Sequence, residues 1–470
     1  MTELPEPEDL VRAPDGDDAA EAANVHLVSP DFVREILDAL DAEDPDRVHA
    51  LVDPLHAADV ADLLGLVNAE QRKHLVEFLR DNLDPEILSE LEEPVRDDVI
   101  DLLEPAEVAA AVSELESDDA VYVLEDLEDA ERQAVLAQVS AEERAAVEAG
   151  LTYPEDSAGR LMQRDLIAVP PYWTVGQTID YLRETENLPR AFYEIFVVEP
   201  KHHPIGTLPL NRIMRTKREV RIADIMEREQ TLIPVDMDQE HVSYLFKQYH
   251  LMSAAVVDTQ GRLVGMITVD DVVDVIDEEA EEDLMLLGGV QEGDIHETTL
   301  ATTRTRLSWL LVNLGTAILA SIVISMFEAT IQQLVALAVL MPIVASMGGN
   351  AGTQTLTVAV RSLATHELTL TNAFRAIVKE VLVGGINGIV LAVVIGVIAG
   401  LWFDNAALGG VLAAAMVINM LVAGLAGILI PLALDRLGID PAVASSVFVT
   451  TITDVVGFFV FLGLAAWVLL

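Results

Sequence analysis

An acid and two hydroxyl residues follow one another along a single helical face in the last apolar segment of the chain. Asp454 lies four residues after Thr450 and eight after Ser446, and this spacing places all three side chains on one face of a helix. A carboxylate inside a membrane costs several kcal/mol unless it faces water, a cation or a partner. The nearest bases, Arg361 and Lys379, fall at segment ends. The sequence therefore predicts that a permeant cation is the counter-ion of Asp454.

The chemistry of the available ligands narrows the choice of cation. The chain contains no cysteine, and no histidine falls within its apolar segments, so oxygen atoms must hold the ion. Mg²⁺ is commonly held through one or two carboxylates with water retained, and a two-fold dimer would supply two copies of Asp454. Ca²⁺ prefers a denser cage, and Co²⁺ and Ni²⁺ usually recruit imidazole. Mg²⁺ is the predicted ion, and a broader divalent selectivity that includes Co²⁺ or Ni²⁺ is the alternative.

A second interpretation of Asp454 needs no ion. A protonated Asp454 that hydrogen-bonds to Asn419 or Asn387 would only join neighbouring helices. An intramembrane enzyme would need a second polar group beside Asp454, which is the only acid that we expect deep inside the apolar segments. We therefore predict that the protein is not an enzyme. The lack of a second deep acid also argues against a proton relay.

Five apolar segments must position these side chains, and each exceeds the ~20 residues that a helix needs to cross the hydrocarbon. The second contains a polar, glycine-rich stretch around Asn350, where we expect the helix to be interrupted. Bases concentrate before the first segment and between the second and third. The positive-inside rule then places the N-terminal half in the cytoplasm and the C-terminus outside. The segments cover residues 307–327, 331–360, 376–403, 409–434 and 442–470.

Charge divides the chain into two parts. Residues 301–470 contain seven acidic and six basic residues, so the first 300 residues hold 71 of the 78 acids and 22 of the 28 bases. A surface of this sign repels phosphate, which excludes nucleic acid as the main partner. The N-terminus lacks the basic and apolar regions of a signal peptide, which agrees with a cytoplasmic location. The surplus of acid is typical of adaptation to a salt-rich cytoplasm.

The acidic part is predicted to contain a tail and two folded regions. Residues 1–26 are typical of a disordered acidic tail, and 27–152 carry short apolar runs at three- and four-residue spacing that predict an all-α helical N-domain. Residues 153–276 alternate strand and helix patterns, and 195–213 aligns with 254–272 at an offset of 59 residues. This two-copy pattern resembles a tandem pair of CBS domains (a Bateman module), which implies an α/β fold.

The second copy carries a stretch that contacts the ribose and phosphates of an adenine nucleotide in the CBS family. Gly265, Thr268 and Asp271 fit the pattern G-x-[IV]-[ST]-x-x-D, whereas the first copy has Pro209 and Arg212 in place of the last two. The resemblance implies one adenine nucleotide site, with ATP as the ligand. The alternative is structural, in which Gly265 makes a hairpin turn and Asp271 starts a helix.

An acidic connecting helix is predicted over residues 277–303, with Gly288 and Gly289 ending its regular part. An acidic run is usually only a solvated face. This one adjoins a membrane domain, so its acids are also candidates to lie over a pore mouth and to sense a metal ion. The acids are Glu278, Glu279, Glu282 and Asp283.

Several motifs in the membrane domain, residues 304–470, resemble the MgtE family of magnesium channels. The soluble regions also follow the family's order, so the resemblance covers about residues 27–470. The motifs are RLSWLLVN at 306–313, MP at 341–342, GGNAGTQ at 348–354, DPA at 440–442 and TT-x-x-DV-x-G at 450–457.

The resemblance implies a homodimer in the cell membrane, with five transmembrane helices per subunit and a Mg²⁺ pore along the dimer axis. Asp454 then corresponds to the family's ion-selecting carboxylate, and Asn350 lies in the motif of the pore-associated second helix. The connecting helix, with Glu282 and Asp283, corresponds to the plug helix that closes the cytoplasmic mouth when Mg²⁺ is high.

Charge supplies a physical reason for such negative feedback. The acidic surfaces of the N-domain, the CBS pair and the plug helix repel one another, and bound Mg²⁺ would bridge them into a compact, closed state. A membrane-anchored CBS nucleotide sensor is the alternative function, although five helices with a central acid exceed what an anchor needs.

Overall fold

The computed structural model describes residues 28–185, 188–189, 192–290, 299–369, 371–443 and 445–470. The predicted acidic tail lies outside the described residues. The chain divides into two compact units, one formed by Met1–Val242 and Leu251–Val269 and the other by Ser243–His250 and Asp270–Leu470. The first unit contains the N-domain and most of the CBS pair, and the second contains the long acidic helix and the membrane domain.

Short helices joined by tight turns form the N-domain, as the apolar spacing predicts. Asn68 and Ser140 start two of them with capping boxes, in which Gln71 and Glu143 accept the backbone N–H of the capping residue. Buried leucine and valine side chains from these helices share one core. The helices are α1 Pro30–Asp41, α2 Pro45–Val52, α3 Ala57–Leu66, α4 Ala69–Leu79, α5 Glu86–Ser89, α6 Glu93–Ile100, α7 Pro105–Val112, α8 Ser117–Glu125, α9 Asp129–Leu136 and α10 Ala141–Gly150.

Each CBS copy contains a three-stranded sheet in which the first two strands run parallel and the last two antiparallel. The register confirms the offset of 59 residues, because Val197 pairs with Gly206 and Val256 with Gly265. The elements are α11 Ala158–Leu161, β1 Ala168–Val169, α12 Val175–Glu184, β2 Glu194–Val198, β3 Pro204–Pro209, α13 Leu210–Arg215, α14 Ile222–Ile225, β4 Leu232–Pro234, α15 Gln239–Tyr249, β5 Ser253–Val257 and β6 Leu263–Thr268.

The segment that leads into each CBS copy crosses to the other copy. Gln163 bridges to the last strand of the second sheet, and Glu227 bridges to the last strand of the first. A Cβ atom on Gly265 would lie 2.6 Å from the Met162 sulfur, so this glycine makes room for the crossing segment. The interpretation of Gly265 as a hairpin turn is therefore wrong, and the positive φ of 74° between β5 and β6 belongs to Gly261.

The predicted acidic helix exists as α16, Val269–Gly288, and begins within the stretch assigned to the CBS pair. Gly289 ends it in the left-handed conformation, with a φ of 72°. The amides of Gly289 and Val290 donate to the carbonyls of Leu286 and Met285, both at 3.0 Å, as expected for a helix C-terminus. Residues 291–298 of the predicted connecting region lie outside the described residues.

Five helices among the described residues are long and apolar enough to cross a membrane, as predicted. The expected interruption around Asn350 is wrong, because the second of these helices continues through the glycine-rich stretch. Glycine there lets neighbouring helices approach closely. The membrane domain contains α17 Thr299–Ser325, the short α18 Glu328–Gln333, α19 Ala336–Ala364, α20 Ala373–Trp402, α21 Ala406–Arg436 and α22 Ser445–Val468.

Candidate ion-binding site in the membrane-spanning helices

The last membrane helix presents the predicted row of oxygen atoms. Asp454 is the tenth of the 24 residues of α22, and Asp454, Thr450 and Ser446 are each partly buried. The Thr450 hydroxyl donates to the carbonyls of Ser446, at 2.9 Å, and Val447, at 3.1 Å. The hydroxyl proton is therefore directed to the backbone, and the lone pairs of the Thr450 oxygen remain available to a ligand. Among the described residues, none forms a hydrogen bond or ion pair with the Asp454 carboxylate.

A neighbouring face of α22 packs against the glycines of α19. A Cβ atom on Gly348 would lie 3.2 Å from Cβ of Thr453, and one on Gly352 would overlap the Val449 side chain. Only glycine permits this approach, which fixes the face of α22 that is turned towards α19. The glycine-rich motif therefore positions the oxygen row, because residue 454 directly follows the packed residue 453.

Asn350 occupies a different face of α19 from the glycines that pack on α22. It lies two residues beyond Gly348, a rotation of about 200° along the helix, and its side chain is exposed in the single chain. No hydrogen bond joins Asn350 to Asp454 within the described parts of the chain. The structure thus brings Asp454, Thr450 and Ser446 together and leaves Asn350 apart from them in one subunit.

The structure does not form the hydrogen bond that would make Asp454 a helix-joining residue. Asn419 is fully buried on α21, and its amide donates instead to the Val344 carbonyl at 2.9 Å. Asn387 lies on an exposed face of α20. Both predicted partners of a protonated Asp454 are therefore placed elsewhere.

A second acid, Glu380, is partly buried in the membrane-spanning helices. Glu380 is the eighth residue of α20, about 10 Å along the helix from its start, and its side chain is 15% exposed. Its Oε2 accepts the Thr355 hydroxyl of α19 at 3.3 Å. Nζ of Lys379 lies 3.9 Å from the other oxygen, on a side chain that is 73% exposed. The adjacent lysine made this position look like a helix end in the sequence.

The end of α16 docks on the helices that carry the oxygen row. Leu286 and Leu287 pack against a buried cluster that includes Leu356 of α19 and Val449 of α22. A Cβ atom on Gly289 would overlap the indole of Trp309, so glycine allows the C-terminal end of α16 to pack closely against α17. A cavity of 480 Å³ beside this stop is lined by Gly288, Gly289, Val290, Arg306, Trp309, Leu310, Asn313, Ser446, Val447 and Thr450.

One of the predicted sensing acids faces a second acid that sequence reasoning did not assign. Burial raises the pKa of the Asp283 carboxyl, and the negative charge of Asp440 raises it further. Asp440 lies in the loop before α22, where its Oδ1 accepts the Ala442 amide at 2.7 Å. Its position before Pro441 in the DPA motif was the available signal.

The other predicted sensing acids lie on two adjacent faces of α16. Glu278 and Glu282 are exposed, and Glu279 is partly buried on the adjacent face. No group of three or more His, Asp or Glu side chains that could hold a metal ion occurs in the part of the chain that the structure describes. Mg²⁺ does not require such a group, because it is commonly held through one or two carboxylates with water retained.

The predicted nucleotide residues lie on two consecutive elements. Gly265 and Thr268 belong to β6, and Thr268 is buried. Asp271 occupies the first turn of α16, which confirms the expectation that it starts a helix.

Three family models match the chain. Residues 341–464 match MgtE, described as a divalent cation transporter, and residues 55–156 match the MgtE intracellular N domain. Residues 222–278 match the CBS domain. The CBS match covers the second copy, which is the copy that carries the nucleotide motif.

Curated relatives are similar over most of their length. The magnesium transporter MgtE of Enterococcus faecalis is 34% identical over 316 residues, covering 67% of this chain and 70% of the relative. That of Thermus thermophilus is 35% identical over 326 residues, covering 68% and 72%. That of Bacillus subtilis is 31% identical over 321 residues, covering 68% and 71%.

Two solved structures resemble the soluble part. A crystal structure of the cytosolic domain of the Mg²⁺ channel MgtE in complex with ATP is 30% identical, covers 52% of this chain and 99% of that chain, and has a TM-score of 0.48. The soluble part of a magnesium transporter is 25% identical, covers 53% and 98%, and has a TM-score of 0.47.

Proposed function

Since this chain belongs to the MgtE family and transports Mg²⁺ across a membrane, we propose that the ion passes along the face of α22 that carries Asp454, Thr450 and Ser446. The observation that supports this path is the Asp454 carboxylate, which lies near the middle of a membrane helix without a partner among the described residues. A carboxylate at that depth requires a counter-charge or water. A hydrated Mg²⁺ supplies both.

We propose that two subunits form the pore. One Asp454 supplies a single negative charge, and a second copy across a two-fold axis would neutralise a divalent ion while the ion keeps part of its water. Asn350 is exposed in the single chain, where a second subunit or the ion path can reach it. The Thr450 and Ser446 oxygens would then accept hydrogen bonds from the ion's retained water.

The acidic half is proposed to lie in the cytoplasm, with the C-terminus on the outer side. The bases Arg304 and Arg306 precede the first membrane helix, and Arg361, Arg375 and Lys379 lie between or near the ends of the second and third. The match of residues 55–156 to an intracellular domain supports the same orientation.

Uptake of Mg²⁺ into proteoliposomes by the full-length protein tests the path. We expect Asp454→Asn to abolish flux, because the amide keeps the shape but removes the charge that offsets the ion's lost water. Asp404→Asn, in the loop between α20 and α21, is the matched control and should transport as the wild type does. Normal flux through a correctly inserted Asp454→Asn protein would refute the proposed path.

We further propose that α16 is a plug that senses Mg²⁺ and closes the cytoplasmic mouth. Its C-terminal leucines pack against α19 and α22, next to Thr450 and Ser446. Asp283 and Asp440 bring like charges together at this junction, so a bound cation would favour the docked position of α16 over any position that separates them. Glu278, Glu279 and Glu282 add negative charge along the same helix.

The plug proposal predicts a loss of feedback rather than a loss of flux. In Asp283→Asn combined with Asp440→Asn, we expect internal Mg²⁺ to be needed at about tenfold higher concentration to slow uptake. Asp435→Asn, an exposed acid at the end of α21, is the matched control. Inhibition at the wild-type concentration in the double variant would exclude this pair as the sensor.

ATP is proposed as a ligand of the second CBS copy. The motif of Gly265, Thr268 and Asp271 supports one site there, and the first copy has Pro209 and Arg212 at the last two positions. Calorimetric titration of the full-length protein with ATP, beside Asp271→Ala, tests this assignment. Equal affinity in both proteins would exclude the motif as the site.

A further inference from the structure

Three membrane helices meet around one fully buried amide. On α21, Asn419 is 0% exposed, and its Nδ2 donates to the Val344 carbonyl of α19 at 2.9 Å. A Cβ atom on Gly348 of α19 would overlap this amide, and one on Gly457 of α22 would lie 2.8 Å from its nitrogen. Asn419 therefore fills the gap that two glycines on two other helices leave.

The contact continues along each helix at a spacing of four residues. On α19 the glycines are Gly348 and Gly352, and on α22 Val449 and Thr453 face them. Thr453 is 0% exposed, so this face of α22 is closed by protein. Residues at i and i+4 lie on one helical face, and this row sets the rotation of α22 about its own axis.

The row that packs and the row that meets the ion are adjacent on α22. Asp454 follows Thr453 by one residue, and Thr450 follows Val449 by one, so each ion-facing residue is rotated about 100° from the packed one. A rotation of α22 around the amide would turn the Asp454 carboxylate by the same angle. The direction of the carboxylate is thus coupled to the contact at Asn419.

Among the described residues, the Asn419 side-chain amide forms a hydrogen bond through its nitrogen and none through its oxygen. Nδ2 reaches the Val344 carbonyl, whereas Oδ1 is buried and has no hydrogen-bond partner among the described residues. A buried acceptor without a donor destabilises the fold. An apolar side chain of similar size would avoid this cost, so the polar residue contributes something other than maximal stability.

We propose that Asn419 is a positioning residue of the ion path: its bond to α19 and its fit against Gly457 hold α22 in the rotation that aims the Asp454 carboxylate at the ion. This inference rests on the proposed path along α22. It assigns no contact between Asn419 and the ion. Its effect is on the geometry with which Asp454 meets hydrated Mg²⁺, and hence on discrimination between ions of different size and hydration.

The test compares uptake of Mg²⁺, Mn²⁺ and Ca²⁺ by full-length variants in proteoliposomes. We expect Asn419→Ala to lower the preference for Mg²⁺ over Ca²⁺ by about tenfold, the scale on which residues behind a metal site's ligands act. Asn387→Ala, an exposed amide on α20, is the matched control and should keep the wild-type preference. A loss of stability without a change in preference would assign Asn419 a purely structural role and overturn the proposal.

A second variant approaches the same contact from α22 and decides the matter if Asn419→Ala does not fold. Gly457→Ala places a methyl group against the Asn419 amide, and we expect the same loss of preference. Gly410→Ala on α21, where a Cβ meets no atom within 4 Å, is its control. Wild-type preference in Gly457→Ala, or an equal reduction of all three fluxes, would contradict the inference.

These outcomes are separable from a failure of the proposed path. If Asp454→Asn transports normally, the path itself is wrong. If Asp454→Asn is inactive while the Asn419 and Gly457 variants discriminate as the wild type does, the path stands and only the positioning role fails.

Discussion

Acidic side chains have different partners in the N-domain and in the membrane domain. In the N-domain, two acids are paired with largely buried arginines. Asp126 pairs with Arg96, whose side chain is 1% exposed, and Glu125 pairs with Arg160 at 2.8 Å. Although acids outnumber bases about three to one in the first 300 residues, these two acids have a basic partner.

The membrane domain has nearly balanced charge, yet no buried base among its described residues faces Glu380 or Asp454. Glu380 accepts the hydroxyl of Thr355, and Asp454 has no partner among the described residues. A paired acid is committed to the fold, whereas an unpaired one in a membrane is available to a cation. We therefore propose that the pairing of an acid, more than the density of acids, distinguishes the acids that stabilise the fold from the acid that meets the cation.

Removing an acid should cost most where it neutralises a buried arginine. Arg96 donates to Asp126 through Nη2 and lies over the Tyr122 ring at 4.0 Å, and its Nε and Nη1 have no hydrogen-bond partner among the described residues. We expect Asp126→Ala to lower the opening free energy of the N-domain by about 3 kcal/mol. Hydrogen exchange of the full-length protein, resolved over peptides of α6 and α8, measures this loss.

Asp129→Ala provides the matched control for that comparison. Asp129 pairs with Arg132, but its side chain is 89% exposed, so water replaces the lost partner. The expected loss is below about 1 kcal/mol. Equal losses in the two variants would mean that burial of the arginine does not decide the energy of its partner.

The helical arrays, the CBS repeat and the five membrane helices could be predicted because each depends on local spacing. The offset of 59 residues is preserved in the strand pairing, in which Val197 pairs with Gly206 and Val256 pairs with Gly265. The crossing of Met162 and Gln163 to the other copy could not be predicted, since it depends on contacts between segments about 100 residues apart. The prediction of a break in α19 was wrong because the residues that pack against its glycines are also distant in sequence. A run of glycines in an apolar segment predicts a helix break, and the sequence does not show that Val449 packs against these glycines.

At the candidate ion-binding site, the row of Asp454, Thr450 and Ser446 could be predicted because its spacing lies within one helix. Sequence reasoning missed Glu380 and Asp440, whose surroundings come from other helices and loops. Lys379 beside Glu380 suggested a solvent-exposed end, but the lysine points outward while the glutamate is 15% exposed. Side-chain direction at a single position is set by packing, which spacing alone does not report.

The acid at the end of α8 should make the stability of the N-domain depend on pH. Burial raises the pKa of Glu125 from its ordinary value of 4.5 to about 7, more than the charge of Arg160 lowers it. Between these pH values the folded state holds a proton that the unfolded state releases. Stability contributed by this group is therefore present below pH 4.5 and is lost as the pH rises to about 7, by up to about 3 kcal/mol.

Hydrogen exchange from pH 5 to pH 8, corrected for intrinsic exchange rates, measures this slope. We expect Glu125→Gln to flatten the pH dependence of N-domain opening, because the amide does not titrate. Glu128→Gln, an exposed neighbour, should leave the slope unchanged. A Glu125→Gln protein with the full wild-type slope would show that the arginine keeps Glu125 ionised and that pairing outweighs burial.

The smallest effect is expected from the second membrane acid. Glu380→Gln keeps an oxygen that can accept the Thr355 hydroxyl and removes only the charge, which faces no buried base in the described part of the membrane domain. We therefore expect a change of about 1 kcal/mol or less in stability, and Mg²⁺ flux close to that of the wild type. Thermal unfolding and uptake by the same proteoliposome preparation measure both quantities. If Glu380→Gln abolished flux in a folded protein, as Asp454→Asn is expected to do, both membrane acids would belong to the ion path. The contrast between a hydroxyl-bonded acid and a free one would then no longer mark where the cation passes.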